Sequence, residues 1–230
     1  MPRRARGPRL SRKAFSLLEG LAADNSKEWF HAHKAEFRAE VLEPFGVVLE
    51  AVSERLHEAD LVLRGGSQTM FRMNRDVRFS PDKRPYRETV AGLLTPSGTK
   101  VEADGVAYVE FGLSGGWVGG GFYKLPTKEL NVLRDHIVAE PKAWFAAKRE
   151  VAARGGALVD GDALKGMPRG FQDHADSEVA DDLRRKSLLV RGNLTKTSWL
   201  DGSVVDRIVK AVGAIAPIVQ FGTVAQQRAA

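Results

Sequence analysis

The period of the hydrophobic residues changes twice along this chain, and that change restricts the fold more than any single motif does. Phe15, Leu18 and Leu21 recur at helical spacing, followed by Trp29, Phe30, His33 and Phe37, and then by Phe45, Val48, Leu49, Val52 and Leu56. From Thr69 the repeat shortens to two. Phe71, Met73, Val77 and Phe79 alternate with Arg72, Asn74, Asp76 and Arg78, as on a strand with one face buried. Further strands are expected over 88–94, 106–113 and 117–123, with Gly115-Gly116 as a tight connection. Helical spacing returns at Leu130, Leu133 and Ile137. Strands grouped between two sets of helices predict an α+β fold: a central antiparallel β-meander packed against N-terminal and C-terminal helices.

Local signals set the expected boundaries. Ser11 is placed to cap the first helix, which ends near Asp24, and Asn25 with Glu28 has the form of a capping box for the second. Pro44 should kink or split that helix, because it removes a backbone donor and crowds the preceding turn. Ser80-Pro81-Asp82-Lys83 suits a turn. Thr127 is the expected cap of the next helix and Pro141 the first residue of another. A glycine-rich loop over 154–168 is followed by a short helix at 178–185, a strand at 187–190 and a final helix at 201–215.

With 43% hydrophobic residues among 230, the chain has material for a substantial core. Its lack of cysteine excludes disulfides, thiol catalysis and cysteine metal sites, and fits a reducing compartment; the expected location is the cytoplasm. The apolar stretch 211–219 contains Pro217 and falls short of the roughly 18 residues a membrane span needs, so a soluble protein is expected. No apolar stretch follows the N-terminal arginines as a secretory signal requires. The net charge of +6 is concentrated at that end: removing the six basic residues of 1–13 leaves 29 basic against 29 acidic residues. The expected organisation is a disordered basic arm over 1–10 and one α+β domain over 11–230.

Against that neutral body, 71–87 stands out, with six basic residues and two acidic ones. Strand alternation puts Arg72, Asn74, Asp76 and Arg78 on one face and turns Arg75 toward the core. Two forked guanidinium groups on one face can clamp a phosphate or carboxylate while Asn74 supplies a directional hydrogen bond, and Lys83 and Arg87 can approach from the turn. The same residues can instead form internal ion pairs with Asp76, Asp82, Glu88 or Glu110. Arg75 belongs to this second account, because a buried guanidinium requires a partner; Asp82 is its candidate.

The run from Phe71 to Tyr86 resembles the signature F-R-x-N-R-D-x-R-F-S-x-D-K-x-P-Y of the family called domain of unknown function 2461. The resemblance extends to Asn25–Phe30, similar to the family's N-x-x-E-W-F, to Gly119-Gly120-Gly121-Phe122-Tyr123, and to Pro168-Arg169-Gly170-Phe171, similar to its P-x-G-F. Where the family commonly carries threonine and lysine around the signature proline, this chain has Arg84 and Arg87. The resemblance implies no particular activity.

The leading expectation is a pocket for a phosphorylated or carboxylated small molecule, formed by Arg72, Asn74, Arg78 and Lys83, with Gly120 contributing backbone amides in an anion-binding concavity. Asp76 is the candidate general base of an enzymatic version, although flanking cations weaken a base. The alternative is a nucleic-acid or protein interaction module using the basic arm with Arg84 and Arg87. No dinucleotide fingerprint, P-loop or nucleophile elbow is present, and His31 and His33 lack the spacing of a helical zinc site. No cofactor, metal or membrane partner is expected.

Overall fold

The computed structural model describes residues 7–59, 61–100, 107–159 and 163–229. The chain divides into two compact units, Met1–Val118 with Asn193–Lys210, and Gly119–Gly192 with Ala211–Ala230. Its five strands form one antiparallel sheet of order β1-β2-β3-β5-β4: β1 (Val90–Leu94), β2 (Ala107–Gly112), β3 (Gly115–Phe122), β4 (Ala157–Leu158) and β5 (Leu188–Thr195). The fold is α+β, with a central meander as the periodicity predicts.

In the first unit, α1 (Arg12–Ala23) begins where Ser11 accepts the Ala14 amide at 3.2 Å, and α2 (Lys27–Phe37) follows. The cap of α2 is Ser26, which accepts the Trp29 amide at 3.1 Å, and not the expected Asn25. Asn25 is committed elsewhere, as described below. Leading into α3 (Glu43–His57), residues Arg38–Leu42 widen into a π-helical turn, and the Glu43 amide reaches back to the Arg38 carbonyl. Pro44, just inside α3, has no N–H to continue the regular ladder, so the wider turn absorbs the break that proline imposes.

Strand β1 pairs with β2 from Val90↔Phe111 to Leu94↔Ala107. The turn into β3 is Leu113-Ser114, ahead of the expected Gly115-Gly116. Gly115 lies inside β3 at φ +114°, where a Cβ would stand 2.1 Å from the Leu194 carbonyl oxygen, so glycine is required for strand contact. Trp199, on α7 (Lys196–Asp201), closes this core between Phe45 at 5.9 Å and Phe111 at 5.0 Å, and Phe111 meets Phe15 edge-on at 4.9 Å. Burying each such ring contributes about 1.5–3 kcal/mol.

The second unit contains α4 (Thr127–Ala139), α5 (Pro141–Ala153) and α6 (Ala180–Arg184). Thr127 does not cap α4: Pro126 holds the cap position with no side-chain bond, and Thr127 is the first helical residue. Pro141 opens α5 as expected. The 154–168 loop contains the short strand β4, paired at Ala157↔Arg191 and Leu158↔Val190, and β5 runs five residues past its expected end. The final helix is α8 (Val204–Ala229), much longer than predicted, with Pro217 in its interior. Proline leaves the carbonyl four residues earlier without its helical donor. That carbonyl, Gly213 O, instead accepts from Arg154 Nη1 at 2.7 Å, which lets the helix run through the proline. By length and composition α8 is apolar enough to cross a membrane, and half of its apolar window is buried within the fold.

Candidate functional site

The segment expected as a strand over 71–79 is an irregular hairpin limb. Its return limb carries Pro81 and Pro85, which cannot donate to a ladder. Pairing is therefore reduced to isolated bridges, Met70↔Gly92 and Asn74↔Tyr86, supported by the Phe71, Arg75 and Arg87 amides donating at 2.8 Å to Ala91, Pro85 and Met73. The turn falls at Val77–Ser80, where the Ser80 amide reaches the Val77 carbonyl at 3.3 Å, and not at Ser80–Lys83. Asp82 sits in the return limb, accepting the Arg84 amide at 3.0 Å.

The inward and outward alternation survives without the strand. Met73 is buried and Arg72, Asn74, Asp76 and Arg78 are exposed, but Phe79, expected in the core, is 93% exposed at the tip. The base is firmly held. Tyr86 is buried against Phe30, ring centroids 4.0 Å apart, and Asn25 takes the Tyr86 amide at 3.0 Å while donating to its carbonyl at 3.3 Å.

At the tip and flanks, most of the charge is already matched. Arg78 grips Asp76 through Nε at 3.0 Å and Nη2 at 2.7 Å, and Lys83 donates to the Val77 carbonyl at 3.0 Å. Arg75 Nη1 meets Asp82 at 2.7 Å and the Arg84 carbonyl at 3.1 Å; Arg84 joins the same carboxylate at 2.7 Å and also pairs with Glu88. The Arg78 side chain and amide hold the Asp76 carboxyl below its usual range, and Arg84 followed by Arg75 does the same for Asp82. A carboxylate stabilised in this way is a poor proton acceptor, which weighs against Asp76 as a base.

Arg72 and Asn74 make no side-chain hydrogen bond among the described residues. Gly120 lies buried within β3 and belongs to the second unit, whereas the 71–87 loop belongs to the first. The neighbouring Gly121 (φ +119°) brings β3 close to β5, where a Cβ would stand 2.3 Å from the Leu188 carbonyl oxygen. A hollow of about 230 Å³ opens at the loop's base beside Arg75, Asp82, Arg84, Tyr86, Arg87, Glu88 and Thr89. Three guanidinium groups there share the hollow with two carboxylates. Of the basic arm, residues 1–6 lie outside the described residues, whereas Leu10 is buried and its amide bonds the Trp199 carbonyl at 3.0 Å.

The second unit contains a different kind of site. A cleft of about 860 Å³ is bounded by Lys124 and Leu125 after β3, by Thr127, Leu130, Asn131 and Arg134 of α4, by Leu164 and Pro168-Arg169-Gly170, and by Lys186. Among the described residues its lining has four cations and no carboxylate.

Arg134 is its deepest charge, at 4% exposure. The guanidinium donates through Nε to the Leu183 carbonyl at 2.8 Å, through Nη2 to the Arg185 carbonyl at 3.1 Å and through Nη1 to Asn131 Oδ1 at 2.9 Å. Guanidinium has five N–H donors, so one remains on each terminal nitrogen. Among the described residues no carboxylate pairs with it, and burial alone pushes its pKa down.

The nearby acid is spent elsewhere. Asp182, buried on α6, accepts from the Trp144 indole at 2.7 Å, from Lys148 at 2.6 Å and from Arg185 Nε at 3.2 Å. At the rim, Lys124 adopts φ +49°, the only non-glycine residue with positive φ among those described, and its amide donates to Ser187 Oγ at 3.0 Å. Thr127 puts the positive end of the α4 dipole beside the same space.

None of these four cations stood out by spacing alone. One signal was present: Arg134 lies on the stripe of Leu130, Leu133 and Ile137, and a cation on the apolar face of a helix needs an explanation. Two motifs also border the cleft, since Lys124 directly follows the 119–123 stretch and Pro168-Arg169-Gly170 forms part of its wall. Among the described residues no group of three or more histidines and acids is placed to hold a metal ion.

Fold and cleft together define an α+β protein whose second unit holds a buried arginine with no carboxylate partner among the described residues. The chain belongs to the family described as conserved hypothetical protein (DUF2461), whose model matches residues 13–221. No curated protein matches it.

Proposed function

We propose that this protein binds an anionic small molecule, phosphorylated or carboxylated, and that it does so in the cleft of the second unit and not on the outward row of the 71–87 loop. One observation carries the reading: Arg134 is buried with no carboxylate partner among the described residues, and it retains two N–H donors beside a cleft whose described lining contains no acid. An unpaired buried charge is costly, and an anion that pairs with it recovers much of that cost on binding. The outward row offers less, because Arg78 and Lys83 are already bonded within the loop.

Pyrophosphate is a suitable first probe, with chloride at matched ionic strength as the control. Saturating pyrophosphate should raise the melting temperature of the wild-type chain, as any ligand selective for the native state does. Replacing the exposed Arg169 and the half-buried Lys186 together by alanine should weaken pyrophosphate binding at least about tenfold, equivalent to about 1.4 kcal/mol. A variant with Arg72→Ala and Arg78→Ala should bind as wild type does. The opposite pattern, with loss in the loop variant and retention in the cleft variant, would return the site to the loop.

A further inference from the structure

At the turn of the 71–87 loop the chain holds a large ring out in water. Phe79 is 93% exposed, and leaving it there forgoes the gain of burying a phenylalanine side chain. The base of the loop, by contrast, is fixed: Tyr86 stacks on Phe30 and is tied to Asn25 through its amide and carbonyl. We propose that this loop is a binding surface for single-stranded nucleic acid, with Phe79 as the platform on which a base stacks and the exposed cations of both limbs meeting the phosphates. The surface lies wholly within the first unit, so it stands or falls apart from the cleft.

Charge points to a polyanion. Arg72, Arg78, Lys83, Arg84 and Arg87 are all exposed, and 71–87 carries six basic residues against two acids. The acids that would repel phosphate are already paired, Asp76 with Arg78, Asp82 with Arg75 and Arg84, and Glu88 just past the loop with Arg84. Pairing does not exhaust the cations. Arg72 and Arg87 make no side-chain hydrogen bond among the described residues, and Lys83 spends one of its three N–H donors on the Val77 carbonyl.

The ring narrows the kind of polyanion. Every base presents a π face, and base–aromatic stacking holds single strands whatever their sequence. Arg78 lies over the Phe79 ring, its guanidinium carbon 5.8 Å from the centroid, and so adds a cation beside the stacking position. The spread of the cations argues against a membrane. They run from Arg78 at the tip back to Arg72, up to about 20 Å along an extended limb. With the tip in a bilayer surface, Arg72 would stand beyond the roughly 8–10 Å over which charge acts in physiological salt, whereas a strand lying along the loop meets each of them.

Fluorescence anisotropy of the full chain with a labelled 12-mer of deoxythymidine tests this. The oligomer should bind in low salt. Phe79→Ser and Phe79→Leu should each weaken it about 5- to 150-fold, the range for one lost stack, and Phe79→Trp should keep it. Because Phe79 is exposed, none of these changes should disturb folding, which an unchanged urea midpoint checks. Arg72→Gln together with Arg87→Gln should reduce the slope of log K against log salt by about 1.4, roughly 0.7 for each phosphate contact removed. Polyglutamate should compete poorly, and replacing Arg169 and Lys186 should leave oligomer binding unchanged.

Oligomer binding undiminished by Phe79→Ser, as contact through the N-terminal arginines alone would give, overturns the platform. So does polyglutamate displacing the oligomer at equal concentration of charge, which would make the loop a surface for an acidic protein. Phosphatidylserine vesicles bound by wild type and by Phe79→Leu, with no oligomer binding, would make the tip a membrane anchor and overturn the nucleic acid. Loss confined to the variant lacking Arg169 and Lys186 would move the strand to the cleft.

Discussion

Each unit of this protein contains an aspartate shared by two cations, and the two differ in almost everything but that count. Asp82, on the 71–87 loop, joins Arg75 and Arg84 with its side chain 36% exposed. Asp182, on α6, joins Lys148 and Arg185 with only 5% exposed, and adds the Trp144 indole. Water can replace any partner that Asp82 loses. It cannot easily reach the Asp182 carboxylate itself. The comparison teaches that a list of ion pairs says little until solvent access is known, and that the acid near the cleft is fully occupied in holding α5 to α6. Arg134, linked to the same helix through the Leu183 carbonyl, has no carboxylate partner among the described residues.

The largest expected effect tests that contrast directly. Asp182→Ala would remove the shared carboxylate from Lys148, Arg185 and the buried Trp144 indole, and should cost about 3–5 kcal/mol in urea denaturation. Asp82→Ala should cause a far smaller loss that shrinks further with added salt, as expected for exposed pairs. Equal losses from the two would break the comparison.

An intermediate effect is expected at the loop's base. Asn25→Ala removes both partners of the Tyr86 backbone and should cost about 1–3 kcal/mol, measured the same way. A loss smaller than that of Asp82→Ala would mean that the ion pairs, and not the base, hold the loop.

The smallest effect is a pH dependence that separates the regions. His136 of α4 is buried against Phe221, and its pKa is lowered chiefly by that burial, with Arg228 lowering it further and Glu140 opposing. The unfolded chain then binds more protons than the folded one as pH falls through the ordinary histidine range near 6.5, so stability should decline there. His136→Gln should flatten the decline between pH 7.5 and 5.5, followed by the urea midpoint. The loop behaves differently: Asp76 and Asp82 have depressed pKa values, so their contribution is present above about 3.9 and lost only in stronger acid. An unchanged slope in the His136 variant would place the titration elsewhere.

Much of this fold was legible because hydrophobic period reports burial directly. The helices α1 and α3, the strands β1 to β3 and the inward turn of Met73 all follow from it. The reading failed where a distant partner made the decision. Asn25 looked like a helix cap and serves Tyr86, 61 residues away, and α8 continues through Pro217 because Arg154 satisfies the carbonyl the proline releases. The loop over 71–87 was recognised as unusual, but its arginines could not be assigned until their acids were located. The cleft was hidden for a different reason: its cations come from 124, 134, 169 and 186, and no short window contains them together.

Lys124 has one more implication. Left-handed backbone suits glycine, and a side chain there costs on the order of 1 kcal/mol. The Lys124 ammonium lies 5.1 Å over the Tyr123 ring, so a contact with its own neighbour in sequence offsets part of what the bend costs.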